Sequence, residues 1–292
     1  MRGAIPAGMC LALERAGLIG AFDRIYGCSS GALAGCYAAA GQAAVWAESF
    51  EDAACRAFID PRRALRRRPV LDFDFLFDVV IRARRPLSAA GLAQGPELRA
   101  VAVAADAGEL RVLAGFEDPD DALAAVRASC TIPVLAGPPL AYRGERLVDG
   151  GLIETIPYRA ALRDGATHVL VLRSRAAAWR TREHRTAGER LVACAHPELA
   201  PLLRERHRRY NAAAAWLANG SPAAVTQVAA PAGARLVARF STDAARIADA
   251  VALGAAQMTQ ALTGAPAPAR AALPEPAARV PATKVGTAVA AP

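Results

Sequence analysis

Lysine is almost absent from this chain of 292 residues: among 35 basic residues only Lys284 is not arginine. Histidine is scarce as well, with four residues, and aromatic side chains make up only 5%. Together with the abundance of alanine, this skew fits the codon bias of a GC-rich genome, so the formal charge of +8 says little about partners. No aromatic-plus-basic RNA motif, zinc-finger spacing or basic helix with heptads accompanies the charge, and nucleic acid is not an expected partner. The chain also lacks a G-x-G-x-x-G with a downstream acidic residue, which leaves a nucleotide-binding Rossmann reading without support; neither cofactor nor metal is expected. The six cysteines, Cys10, Cys28, Cys36, Cys55, Cys130 and Cys194, have no paired spacing. Neither a secretory leader pattern nor an unbroken run of about 18 apolar residues is present. A reducing cytoplasm is the expected compartment.

What the chain does have is 54% hydrophobic residues, enough to bury one large core over residues 1–264. From 265 to 292 the sequence is rich in alanine and proline with almost no large apolar residue, and a disordered tail is expected there.

The most informative stretch is Arg24-Ile25-Tyr26-Gly27-Cys28-Ser29-Ser30-Gly31-Ala32-Leu33-Ala34-Gly35. A strand-like run over 22–26 enters a G-x-S-x-G turn, and a small-residue helix over 32–40 leaves it. That arrangement is a nucleophile elbow, and random placement in a chain of this composition would give roughly 0.05 such matches. A serine hydroxyl becomes a useful nucleophile when a sharp turn exposes it beside a base and beside donors for an oxyanion. Gly27 and Gly31 are expected to give the turn its room, and the helix after it points free N–H groups and a positive dipole end back at Ser29.

Upstream, a helix over 5–16 is expected, capped by Gly17. An α/β protein should place a buried strand before such a glycine-containing turn, so the protein is expected to begin upstream of Met1, with an apolar strand and a Gly-Gly pair. Downstream, a helix over 45–59 leads into an arginine-flanked segment over 61–85, with Phe73, Phe75 and Phe77 between two basic clusters. The preferred reading is a helix packed on the core with a solvated charged border; the second is peripheral contact with an anionic membrane surface. Strands over 98–105 and 109–113 form a hairpin, a helix spans 119–128, and a strand over 146–148 delivers Asp149-Gly150-Gly151 at its C-terminal end. A helix over 156–163, a buried strand over 167–172, a helical region over 197–218 with Arg204, Arg206, Arg208 and Arg209 on an exposed face, a strand over 223–229 and a helix over 243–262 complete the domain.

Ser29 needs a base. In the order Ser, Asp, His a triad would take Ser29, Asp149 and His168, but His168 falls in the apparent buried strand and reads as a structural residue. His184, His196 and His207 lie among arginines and read as surface residues. Asp149 remains: two following glycines let its carboxylate approach another loop closely, and partial desolvation raises a carboxyl from about 3.9 toward a useful range.

These residues resemble the patatin-like phospholipases, in particular a bacterial branch. The resemblance rests on Met1-Arg2-Gly3 as the end of a glycine-rich oxyanion loop and on Gly27-Cys28-Ser29-Ser30-Gly31 as the elbow. It rests also on Arg127-Ala128-Ser129 with Ile132-Pro133, and on Asp149-Gly150-Gly151 as the D-G-[AG] box, and it extends in weaker form to about Met258. It implies a three-layer α/β/α sandwich around a mostly parallel sheet and a Ser29/Asp149 dyad without histidine. It also implies hydrolysis of a lipid or other acyl ester, with the oxyanion held by backbone N–H groups of Arg2 and Gly3. The family's hydrophobic strand and glycines before the Met-Arg-Gly position are absent here, so slow hydrolysis is expected of the chain as written. The alternative expectation is a catalytically weak lipid-binding protein that keeps the fold but lacks a complete oxyanion loop.

Overall fold

The computed structural model describes residues 1–53, 56–183, 186–219 and 225–264. Cys55, His184 and the expected tail over 265–292 lie outside the described residues. In chain order, helix α1 (Ala4–Arg15) precedes strand β1 (Arg24–Cys28), which turns into α2 (Ser30–Ala39) and then α3 (Ala43–Ala53). A 3-10 helix (Pro61–Arg66), a π-helix (Phe75–Arg84) and the short α4 (Ala89–Gln94) lead to β2 (Glu97–Ala104) and β3 (Glu109–Leu113). Then come α5 (Pro119–Cys130), β4 (Leu140–Tyr142), β5 (Glu145–Asp149), α6 (Tyr158–Arg163) and β6 (Val169–Arg173). The described chain closes with α7 (Ala187–Ala195), α8 (Ala200–Ala218), β7 (Val225–Ala229) and α9 (Ala244–Thr263).

Local chemistry accounts for the helix ends. Gly17, at φ +70°, ends α1 as expected: its N–H bonds the Glu14 carbonyl, and that of Leu18 bonds Leu13. Asp118 caps α5 by accepting from Asp121 N–H, with Pro119 in the first turn. Thr186 and Glu189 form a reciprocal capping box on α7.

Register around β2 sets the architecture. β3 pairs antiparallel along 100–104 on one edge. The other edge is shared: β1 pairs parallel along 97–101, and β5 pairs antiparallel along 102–104. β1 and β5 therefore meet end to end, with Cys28 opposite Val101 and Asp149 opposite Ala102. β4 extends β5, so this sheet is mixed, and β6 with β7 forms a separate parallel pair.

Alternation on β2 separates the layers. Leu98, Ala100, Ala102 and Ala104 face a core shared with α1, α2, α3, α5 and α9. Val103 and Ala105 face the opposite way, into a cluster with Val192, Leu199, Leu202 and Leu203 from the α7–α8 region. This is the expected α/β class with helices on both faces of a central sheet.

α4, β4 and α7 were not expected from the sequence, and three expected elements fall differently. The helix over 45–59 is α3, and Ile59 instead bridges Leu71 as an isolated antiparallel pair. The 61–85 segment divides into a 3-10 helix and a π-helix, and Phe58, Phe73, Leu76, Phe77, Val80 and Ile81 are all buried. Phe58, Phe73 and Phe77 are thus core with Phe75 half-buried against it, and the exposed apolar residues of the segment are Leu65, beside Arg66, Arg67 and Arg68, and Val79. The expected strand over 167–172 begins at Val169, so Thr167 and His168 precede it and are exposed.

α1 is fixed mainly by α9, through two glycines. A Cβ on Gly8 would lie 1.9 Å from the Val251 carbonyl oxygen, and one on Gly254 would lie 2.0 Å from that of Ile5. Neither contact can be relieved by turning a side chain, so the helix backbones would have to separate. Gly254→Ala gains roughly 0.5–1 kcal/mol of helix preference but is expected to destabilise the protein by a net of about 1–3 kcal/mol through overpacking. Urea unfolding of this variant beside Gly20→Ala, whose Cβ would meet nothing within 4 Å, checks the difference. Equal midpoints would contradict the crossing described.

Candidate active site

Ser29 sits between the last residue of β1 and the first of α2, with φ 56° and ψ −128°. This is a region that a side-chain-bearing residue enters at a cost of about 1–3 kcal/mol, and it persists when the surroundings over-determine it. Gly27 makes the turn sterically possible: a Cβ there would come within 2.3 Å of Ala32 Cα. Gly31 plays no such part, because a Cβ on it would meet nothing within 4 Å. The expectation that both glycines make room is corrected to Gly27 alone.

Two hydrogen bonds hold the elbow onto β2. The Ser29 N–H donates to Ser129 Oγ at 3.0 Å, and the Ser129 hydroxyl donates to the Val101 carbonyl at 2.6 Å. Ser129 is fully buried at the end of α5. Val101 is the β2 residue paired with Cys28, so the relay closes a short ring around the turn.

Asp149 reaches the same place from β5. Its own N–H donates to the Thr131 carbonyl at 2.8 Å, and its Oδ1 accepts from the Gly151 N–H at 2.7 Å. Both glycines are required here. A Cβ on Gly150 would lie 2.3 Å from the Val101 carbonyl oxygen, and one on Gly151 would lie 2.8 Å from Asp149 Oδ1. Burial pushes the Asp149 carboxyl above its ordinary pKa, against the opposing influence of hydrogen bonding from the Ser29 side chain and the Gly151 N–H and of the charges of Arg206 and Arg239. Cys28 and Cys130 flank the carboxylate; burial first, then the Asp149 charge, raises both thiols well above their usual range and keeps them protonated.

The start of the chain closes the site. A Cβ on Gly3 would lie 2.7 Å from Ser30 Cβ, so the Arg2-Gly3 turn lies directly against the residue after Ser29. Among the described residues the N–H groups of Arg2, Gly3 and Ser30 donate to no protein acceptor, which leaves them free for an oxygen of a ligand. All open onto a cavity of about 2360 Å³, lined on one side by Phe58, Phe73, Leu76, Ile132 and Leu135. Such a wall suits an acyl chain.

The residues expected at the site thus converge, whereas none of the described histidines bonds to Ser29 or Asp149. His168 is exposed and its Nδ1 contacts Thr167 Oγ1 at 3.2 Å, which corrects its reading as a buried structural residue. The physical reason is that the strand starts two residues later than expected, leaving the imidazole on the approach turn. His196 and His207 contact Glu198 and Glu183. The arginine row on α8 also divides: Arg204 and Arg208 are exposed, but Arg206 Nε donates to the Gly151 carbonyl at 3.0 Å and Arg209 donates to the Leu152 carbonyl. Residues 206 and 209 share a helix face by their spacing of three, and that spacing was the available signal.

A family model for patatin-like phospholipase matches residues 1–162, more than half of the chain, and so includes the elbow, Ser129 and Asp149-Gly150-Gly151. No curated protein matches the chain.

Removing the relay tests the local account. Ser129→Ala leaves the Ser29 N–H and the Val101 carbonyl without their partner, and a buried unsatisfied group costs about 1–3 kcal/mol. The variant is expected to unfold at lower denaturant by about that amount, while Ser129→Thr, which retains a hydroxyl, loses less. Urea titration of both against the parent checks this.

Proposed function

The chain belongs to the patatin-like phospholipase family, and on that premise we propose that it is a serine lipid acyl hydrolase, of phospholipase A or esterase type, working through Ser29 and Asp149. The observation that carries this reading is the meeting of a strained, backbone-anchored Ser29 with a buried Asp149, while none of the three described histidines bonds to either.

In the proposed cycle Ser29 Oγ attacks the ester carbonyl as its proton passes to the Asp149 carboxylate. The resulting oxyanion is held by the N–H groups of Arg2, Gly3 and Ser30, which lie at the positive ends of α1 and α2. Collapse breaks the ester C–O bond, and the leaving alcohol takes the proton back from Asp149. Water then attacks the acyl-serine, giving its proton to Asp149, and the second collapse returns that proton to Ser29 Oγ and releases the fatty acid. A carboxyl whose pKa is raised by burial is a better base than a free one, which suits it to this exchange. The reducing cytoplasm expected from the cysteine pattern is kept as the proposed compartment.

Hydrolysis of p-nitrophenyl butyrate tests the pair. Ser29→Ala and Asp149→Asn are each expected to lose about 10⁴-fold or more, while His168→Gln retains most of the activity. A folded His168→Gln as inactive as Ser29→Ala would replace the pair with a triad. Activity should rise with pH as Asp149 ionises, at a pH higher than a free aspartate would need. The same shift has a stability consequence of opposite sense. An Asp whose pKa is higher in the folded state stabilises the fold fully only below its unfolded pKa, and that stability is lost as pH rises through the folded value. Asp149→Asn should therefore melt above the parent at pH 7, with the difference shrinking as pH falls toward about 4.

A further inference from the structure

The cavity that holds Ser29 carries far more positive charge than its acids neutralise. Arg2, Arg175, Arg206 and Arg239 all line it, and only Arg206 has a carboxylate partner, Glu189 at 2.9 Å. Arg2, Arg175 and Arg239 form no ion pair among the described residues. The Nε atoms of Arg2 and Arg175 are buried with no hydrogen-bond partner. Arg175 is held in place by the ring of Trp179, 4.4 Å from its guanidinium carbon. Arg239 stands nearer solvent on the segment before α9.

Their proximity to one another is costly. Burial first, then the charges of Arg175, Arg239 and Arg206, draws the Arg2 guanidinium down to about 10. Arg239 is lowered likewise, by burial and then by Arg206 and Arg175, and Arg175 is lowered by burial. Arg2 and Arg175 are half-buried with no carboxylate partner and each has a buried Nε without a hydrogen bond, a penalty that an anion would relieve; Arg239, more exposed, feels the Asp149 and Glu189 charges without pairing with either. No structural need for the cluster is evident, since these three side chains tie no elements together through ion pairs.

We propose that Arg2, Arg175 and Arg239 form a subsite for the phosphate of the substrate, which makes the preferred substrate an acyl ester carrying a phosphomonoester close to the scissile bond. Three cations call for more than one negative charge, and a phosphate monoester brings close to two at neutral pH with three acceptor oxygens that match planar guanidinium forks. Proximity to the ester follows from Arg2, whose neighbour Gly3 lies against Ser30 and whose side chain feels the charges of Arg175 and Arg239. Arg175 and Arg239 lie beyond the residues matched by the family model.

The use of this subsite for substrate choice rests on the hydrolase reading, but its occupancy can be measured without turnover. An ether-linked probe, 1-octylglycerol 3-phosphate below its micelle concentration, is titrated into the full chain by calorimetry, beside 1-octylglycerol and inorganic phosphate. The phosphate ether is expected to bind at least tenfold more tightly than either of the others, with the advantage shrinking as salt rises. Arg175→Gln with Arg239→Gln is expected to remove most of that advantage and to melt no lower than the parent, because mutual repulsion is relieved. Equal binding of the charged and uncharged ethers would overturn the proposal, as would an advantage that survives in the double variant. Inorganic phosphate binding as tightly as the ether would also overturn it, because the site would then hold free phosphate instead of a lipid head group. Ether probes cannot be hydrolysed, so an inactive Ser29 would leave the binding result intact.

Discussion

The shared edge of β2 is the constraint from which the site follows. A parallel strand and an antiparallel strand use successive halves of one edge, so their C-terminal ends meet at Val101 and Ala102 and deliver Cys28-Ser29 and Asp149 to one point. The point is too crowded for side chains on the turning residues, and Gly27, Gly150 and Gly151 answer that crowding. Ser129 then ties the strained turn to the Val101 carbonyl. The elbow does not hold itself; α5 and β2 hold it, which is how a backbone angle costing about 1–3 kcal/mol can persist.

Charge and burial work against each other in the same few ångströms. Desolvation raises Asp149 toward its neutral form, while Ser29, the Gly151 N–H and the arginines favour the carboxylate. The arginines in turn suffer from one another. A domain optimised for stability alone would discard both the buried acid and the crowded cations, so their coexistence marks this end of the sheet as the place where stability is given up. The close α1–α9 crossing keeps the Arg2-Gly3 turn seated while those forces act.

Much of this was legible in the sequence, because tight turns need particular residues. The G-x-S-x-G and Asp-Gly-Gly patterns named Ser29 and Asp149 directly, and the hairpin, the cap at Gly17 and helices α1, α2, α5, α6, α8 and α9 fall close to where periodicity and capping placed them, whereas α4 and α7 were not expected. What was not legible depends on three-dimensional neighbours. Gly31 has the motif's identity without its steric need. His168 fell on the wrong side of a strand boundary, where a shift of two residues left it exposed on the approach turn. Arg175 and Arg239 carry no motif and come from separate loops, and only the fold brings them to Arg2. The aromatic residues around 58–77 suited a core somewhat better than a lipid surface by sequence, and Phe58, Phe73 and Phe77 are indeed buried in the core.

The central claim is that Asp149 activates Ser29 without a histidine. Labelling with a fluorophosphonate, read by peptide mass spectrometry, addresses it directly because phosphonylation requires an activated serine oxygen and no particular lipid. The account predicts a single adduct on Ser29, formed at the parent rate in His168→Gln and slowed by orders of magnitude in a folded Asp149→Asn. An adduct elsewhere, or labelling of Ser29 that is indifferent to Asp149→Asn, would contradict it.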